Sequence, residues 1–239
     1  MRHHIADMGT LAREVWPAPL VIVSDLHNSG PGGHCNFQRE LFEYFLEYVA
    51  EIRASLVVAG DINDISEEPH SRAMNEADWL LWRASEARGL PTVKLPGNHD
   101  RLERVAGVWD RLDIADLFVW HGDALDPACN RKGLRGNLDV VGSFVWGGIE
   151  RIGLRRIFNP VRRWLTKTAA RRGDTNMVWL QDAEERGKVL YVSGHTHVWE
   201  LIEWADGHYY ANPGSWVEEG KGGAVYVDGT RIELWEVTE

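Results

Sequence analysis

Five short, mostly apolar runs constrain what this 239-residue chain can fold into: Leu20–Val23, Leu56–Ala59, Thr92–Leu95, Leu117–Trp120 and Val189–Val192. Each has the length of a strand and is rich in β-branched or aromatic residues, as expected for strands buried on both faces of a parallel sheet. Their ends are also alike. The first runs into Asp25-Leu26-His27, the second into Gly60-Asp61-Ile62-Asn63-Asp64 and the third into Gly97-Asn98-His99-Asp100. The fourth ends in His121-Gly122-Asp123 and the fifth in Gly194-His195-Thr196-His197. Glycine lets the backbone turn sharply there, and the carboxyl ends of strands are where open α/β sheets bind ligands. One Asp-x-His pair alone is more often a cap or a turn former. Five such ends in succession are not independent coincidences, and the simplest expectation is one site at the carboxyl edge of one sheet.

The segments between the runs supply crossovers. Asn36 reads as the N-cap of a helix through Phe37, Leu41, Phe42, Phe45, Leu46, Val49 and Ile52, whose spacing puts apolar residues on one face. A second helix is expected over Pro69–Arg88, ended by Gly89, and a shorter one over Val105–Leu112. From about Pro127 to Asn176 the composition changes to a helical insertion with an apolar spine, broken at Asn159-Pro160. A helix over Asn176–Arg186 returns the chain to the sheet. Beyond it, Asp206-Gly207 and Asp228-Gly229 are hairpin turn signals between strand-like segments. Residues 1–239 read as one domain with the insertion at about 127–176.

The net charge of −10 is unevenly spread: Arg131–Arg172 holds eleven Lys/Arg against two Asp/Glu, so the remainder carries −19. Such an acidic body makes nucleic acid a poor partner. Two cysteines, Cys35 and Cys129, form no disulfide framework, and Met1–Pro19 has no apolar core of signal-peptide length, so a cytoplasmic protein is expected. No stretch is long and apolar enough to span a bilayer. Nothing in the sequence bears on oligomeric state.

The candidate donors are Asp25, His27, Asp61, Asn98, His121, His195 and His197. Imidazole, carboxylate and amide oxygen together suit borderline divalent cations, Mn, Fe, Zn or Co, and not a thiolate-bound structural zinc. Seven donors exceed one tetrahedral ion and suit two ions about 3.5–4 Å apart sharing a carboxylate.

Asp25-x-His27, Gly60-Asp61-x-x-Asp64, Gly97-Asn98-His99-Asp100, His121 and Gly194-His195-x-His197, in this order, resemble the calcineurin-like metallophosphoesterase superfamily. The resemblance spans residues 20–197. It implies an α/β fold, a four-layer αββα sandwich, here with a helical cap insertion, and a dinuclear centre with manganese the foremost cofactor. By motif position one ion would be held by Asp25, His27, Asp61 and His197, the other by Asp61, Asn98, His121 and His195. A hydroxide between them would attack phosphorus in line, hydrolysing a phosphodiester or pyrophosphate bond. His99 would protonate the leaving oxygen or stabilise its charge, oriented by Asp64, with Asp100 the rival for that role.

Ile65-Ser66 stand where protein phosphatases of the superfamily carry Arg-Gly after the second Asp, which argues against that subfamily. His121-Gly122-Asp123-x-x-Asp126, followed by a basic, Trp-bearing insertion, resembles UDP-2,3-diacylglucosamine diphosphatases, although His99 stands where that branch has Arg. That resemblance implies a lipid-linked, nucleotide-containing substrate and peripheral contact of the cap with an anionic membrane at its inner face. Two alternatives stand beside it: a small soluble phosphodiesterase of cyclic nucleotides or dinucleoside polyphosphates, and a non-catalytic scaffold of the same fold. Asn212-Pro213-Gly214-Ser215-Trp216 reads as a tight turn serving packing.

Overall fold

The computed structural model describes residues 2–7, 19–28, 37–62, 89–100, 110–126, 174–229 and 231–239; for 2–7 and 174–178 it describes the backbone only. The chain divides into two compact units, Met1–Gly122 with Ala183–Glu239, and Asp123–Asp182. Eleven strands are described, β1 (Arg2–Asp7), β2 (Leu20–Val23), β3 (Ser55–Ala59), β4 (Thr92–Leu95), β5 (Arg111–Ile114), β6 (Leu117–Trp120), β7 (Leu190–Ser193), β8 (Trp199–Ala205), β9 (His208–Pro213), β10 (Lys221–Val227) and β11 (Arg231–Thr238), with helices α1 (Arg39–Glu51) and α2 (Asp174–Arg186). The helix expected over 69–88, residues 105–109 and the insertion between 127 and 173 lie outside the described residues.

The strands form two sheets, as the αββα resemblance implies, and not the single sheet that the strand-end pattern suggested. The first has the order β1-β11-β10-β2-β3-β4 and the second β5-β6-β7-β9-β8. Each contains a parallel trio, β2-β3-β4 and β6-β7-β9, flanked by antiparallel strands. The five runs read from the sequence are therefore shared between two sheets, three in the first and two in the second. A run buried on both faces satisfies either sheet equally, so no local signal assigns it a neighbour.

Alternation along the strands makes the layers. Leu20, Ile22, Val57 and Ala59 of the first sheet meet Val119, Leu190, Val192 and Ala211 of the second in one buried cluster. Val21, Val23, Leu56 and Val58 point the other way and pack against Leu41, Phe42, Phe45, Leu46 and Val49 of α1. On the far face of the second sheet the rings of Phe118, Tyr191 and Tyr210 follow one another, and the Arg186 guanidinium at the end of α2 lies 4.2 Å from the Phe118 ring centre. With α1 on the outer face of the first sheet and Arg186 on the outer face of the second, this unit fits the αββα sandwich.

Three boundaries differ from the sequence reading. Helix α1 begins at Arg39 with Gln38 as N-cap, and the Gln38 side chain makes no capping bond. Tertiary contacts set that start: Gln38 N–H donates to Trp216 O and its Oε1 accepts from Gly220 N–H. Leu112, expected at the end of a helix, lies in β5, where it is buried between exposed Arg111 and Asp113, a period of two rather than 3.6. Arg2–Asp7, with no strand signal of its own, pairs with β11. The two Asp-Gly turns are hairpins as expected. The first joins β8 to β9 in the second sheet, and the other joins β10 to β11 in the first.

Glu200 of β8 has its carboxyl pushed up to about 7 by burial. A carboxyl raised in the folded state binds more protons folded than unfolded, so its contribution is full below its ordinary value and fades as pH rises through about 7. Glu200→Gln is expected to flatten that loss by on the order of 1 kcal/mol, the full shift being screened by solvent at a partly exposed group. Denaturant midpoints at pH 5 and pH 8 check it. Equal differences for both proteins would show that Glu200 is not the titrating group.

Candidate metal centre

Each candidate ligand sits at the end of a parallel strand: Asp25 and His27 after β2, Asp61 after β3, Asn98 and His99 after β4, His121 after β6, His195 and His197 after β7. Within each sheet, backbone bonds tie neighbouring strand ends together just past the ladder. Asp25 N–H donates to Gly60 O (3.1 Å), His27 N–H to Asp61 O (2.9 Å) and Gly194 N–H to His121 O (3.1 Å).

Five of the eight residues hold left-handed backbone: Asp25 (φ 55°), His27 (46°), Asp61 (50°), His195 (67°) and His197 (57°). For residues with a Cβ this costs on the order of 1 kcal/mol each, and such strain gathers where function needs it. The turns bring residues two apart on the chain onto one point: His27 Nε2 lies 3.7 Å and His197 Nε2 3.1 Å from Asp25 Oδ1. Close approach of the strand ends leaves no room beside the glycines. A Cβ on Gly194 would come 2.7 Å from Asp25 Oδ2 and 2.8 Å from Ser24 Cβ.

Three groups of ligand atoms result, each within 4.8 Å: Asp25 with His27 and His197, Asp61 with His121 and His195, and, overlapping both, His27 with Asp61 and His99. Asn98 Oδ1 joins the second, 3.1 Å from both His121 Nε2 and His195 Nδ1. Asp61 lies between the first two groups, its Oδ2 3.2 Å from His121 Nε2 and 3.8 Å from His27 Nε2. His27 and His197 bring their Nε2 atoms to 3.0 Å of each other. His99, 32% exposed, has Nε2 3.9 Å from Asp61 Oδ2 and stands edge-on to the His27 ring.

The donor chemistry fits divalent cations. His121 Nδ1 is 2.9 Å from the Ala59 carbonyl, which can only accept, so Nδ1 carries the proton. In the unprotonated ring Nε2 would present a lone pair to two further acceptors, Asp61 Oδ2 and Asn98 Oδ1. A cation reconciles three converging lone pairs, and the backbone bond on the other ring nitrogen orients the imidazole as metal-ligating histidines are oriented. Asp25 is fully buried. Its Oδ2 accepts from His195 N–H (3.0 Å), while its Oδ1 has no hydrogen-bond donor despite His197 nearby.

Electrostatics agree. Burial would raise the Asp25 carboxyl, but His197 and His27 hold it well below its ordinary value. Burial likewise works against Asp61, and His121 above all overcomes it. Both carboxylates stay ionised. Burial opposes a proton on His197 and Asp25 favours it, for a net upward shift moderated by water at a ring 38% exposed. A divalent cation and protonated histidines do the same work here, so metal binding should release protons.

Asp100, buried, accepts at Oδ2 from Ile62 N–H (3.1 Å) and Gly97 N–H (2.9 Å), bracing the loops that carry Asp61 and Asn98. Asp64 lies outside the described residues. The sequence reading also missed Ser24, Thr196 and Asn212, whose polar atoms bond around the site. They carry no metal-ligand signature, and only the Asn-Pro-Gly turn hinted at the last.

A profile of the calcineurin-like phosphoesterase family matches residues 18–225. The match takes in every candidate ligand, and the chain belongs to that family. A comparison with curated proteins finds no match. Among solved structures, a predicted phosphoesterase from Streptococcus pneumoniae TIGR4 is 17% identical, with 92% of this chain and 89% of that one covered and a TM-score of 0.43. Vps29 from Entamoeba histolytica in complex with zinc is 12% identical, with 91% of each chain covered and a TM-score of 0.44. The cold-active protein-tyrosine phosphatase of a Shewanella species is 13% identical, with 92% and 80% covered and a TM-score of 0.46.

Proposed function

We propose that this protein is a dinuclear metal-dependent phosphoesterase that hydrolyses a phosphodiester or pyrophosphate bond. The observation that carries the reading is the position of Asp61, whose carboxylate stands between two clusters of ligand atoms. Asp25, His27 and His197 with Asp61 would hold one cation, and His121, His195 and Asn98 with Asp61 the other. When bound, the cations supply Lewis acidity toward the phosphoryl oxygens and the attacking water. The protein's own groups do the rest. Asp61 Oδ1 accepts from His99 N–H at 2.9 Å, which fixes the His99 backbone against the shared carboxylate. The half-buried His99 imidazole would hold a phosphoryl oxygen or pass a proton to the leaving oxygen. A full set of ligands favours this reading over a non-catalytic scaffold.

The basic stretch Arg131–Arg172 supports a substrate with an anionic, lipid-linked portion. Among the described residues no helix is long and apolar enough to cross a membrane. Hydrolysis of bis-p-nitrophenyl phosphate, measured after chelation and after Mn2+ is restored, tests the core of the reading. The rate should fall at least about 100-fold and recover. A detergent-solubilised lipid pyrophosphate assayed in parallel tests the finer one. Preference for the soluble diester would overturn the lipid-linked substrate, and hydrolysis insensitive to chelation would overturn the metal reading.

A further inference from the structure

Six parallel strands end at the centre of this unit, and five of them end in candidate ligands. The sixth, β9, ends in Asn212, whose side chain is wholly buried. Three bonds of its amide go to the ligand-bearing turns or the loop behind them, and the Tyr210 hydroxyl is a further neighbour. Nδ2–H donates to Gly194 O (3.0 Å) and to Thr196 Oγ1 (2.9 Å), and Oδ1 accepts from Gly214 N–H (2.8 Å). Gly194 and Thr196 flank His195, and Thr196 also precedes His197. From Gly214 the connection crosses to the first sheet: Ser24 Oγ–H donates to Gly214 O (3.1 Å) and Trp216 N–H donates to Asp25 O (3.2 Å). His195 N–H returns to Asp25 Oδ2, closing the ring of bonds.

We propose that Asn212 is a positioning residue for both metal sites, acting with Ser24 and Thr196 as a buried clasp between the two sheets; the inference rests on the dinuclear reading above. The physical case lies in the strain it opposes. His195 and His197 both hold left-handed backbone with only Thr196 between them, and Asp25, across the gap, does too. Left alone, such a turn relaxes toward right-handed or extended conformations and carries its imidazoles away from Asp25 and Asn98. Asn212 binds the turn at the peptide oxygen before His195 and at the hydroxyl between the two histidines. Because His195 belongs to one cluster and His197 to the other, a single amide bears on both. An aspartate there would offer no donor to Gly194 O, and an aliphatic residue would leave Gly194 O and Gly214 N–H without it in a buried setting.

The test is Mn2+ titration of chelator-treated protein by calorimetry, alongside its thermal midpoint with and without Mn2+. Asn212→Ala is expected to weaken Mn2+ binding at both sites by about 10- to 100-fold, the effect of removing an outer-shell partner. The rise in midpoint caused by Mn2+ should shrink with it. Thr196→Val, which removes one of the three bonds and keeps the side chain's shape, should show a smaller loss, restored in Thr196→Ser. A role in folding alone would lower the metal-free midpoint and leave Mn2+ affinity as in the wild type; that result in Asn212→Ala overturns the clasp. Should Asn212→Ala fail to fold, unchanged Mn2+ affinity in Thr196→Val overturns it equally. A wild-type chain that binds no Mn2+ overturns the dinuclear reading itself and the clasp with it.

Discussion

Asp61→Asn is expected to abolish Mn2+ binding at both clusters, whereas His27→Ala abolishes it at one. Asp61 Oδ2 faces His121 on one side and His27 on the other, and no other carboxylate among the described residues lies between the groups. His27 belongs with Asp25 and His197 and is not a member of the group formed by Asp61, His121 and His195. An amide at position 61 keeps the shape and removes the charge, so the His99 backbone bond to Oδ1 can survive while the attraction for two cations does not. On the proposed dinuclear reading, loss of this shared charge should lower kcat/KM by on the order of 1,000-fold, equivalent to about 4 kcal/mol of transition-state stabilisation. Metal-to-protein ratios and diester hydrolysis on the two variants decide the matter. An equal loss of both metals in the two proteins would contradict the shared role of Asp61.

Gly97→Ala should be strongly damaging although Gly97 supplies no ligand atom. A Cβ there would lie inside van der Waals contact of Asp61 Oδ1 and of the Asp61 backbone nitrogen. Asp61 is buried and in left-handed conformation, and its neighbour Ile62 is tied to Asp100, so the obstructing atoms belong to a braced backbone and not to a flexible side-chain end. Overpacking of this kind costs about 3 kcal/mol, and a displacement of about 1 Å at reacting groups about 100-fold in rate. Gly89→Ala is the control: at φ 62°, with nothing within 4 Å among the described residues, it should cost only about 1 kcal/mol and leave kcat/KM unchanged. Chemical denaturation with the diester assay checks both. Wild-type activity in Gly97→Ala would mean that the Asp61 loop moves aside without consequence.

The strands were legible because burial on both faces demands unbroken apolar runs, and Leu20–Val23 and Leu56–Ala59 are nearly inaccessible as that pattern requires. The hairpins were legible because Asp-Gly turns act within four residues. Helix α1 was legible in its buried face and not in its start, since Gln38 is fixed by Trp216 and Gly220, about 180 residues away. Leu112 was misread because four residues between turns carry too short a pattern to separate a period of two from one of 3.6. Which sheet each strand joins was not legible at all.

By itself, the sequence determined which side chains stand at the strand ends: Asp25, His27, Asp61, Asn98, His99, His121, His195 and His197 are set by motif, and each lies at the end of a short run whose burial is local in origin. Only the tertiary structure decided that these ends come from two facing sheets. It also placed Asp61 between two clusters and brought Asn212, from a strand with no metal-ligand signature, to hold the turn between His195 and His197. The reason is that ligand type is written in residue chemistry. The distances between ligands come from pairings and hydrogen bonds between residues up to 190 apart, which no window of sequence contains.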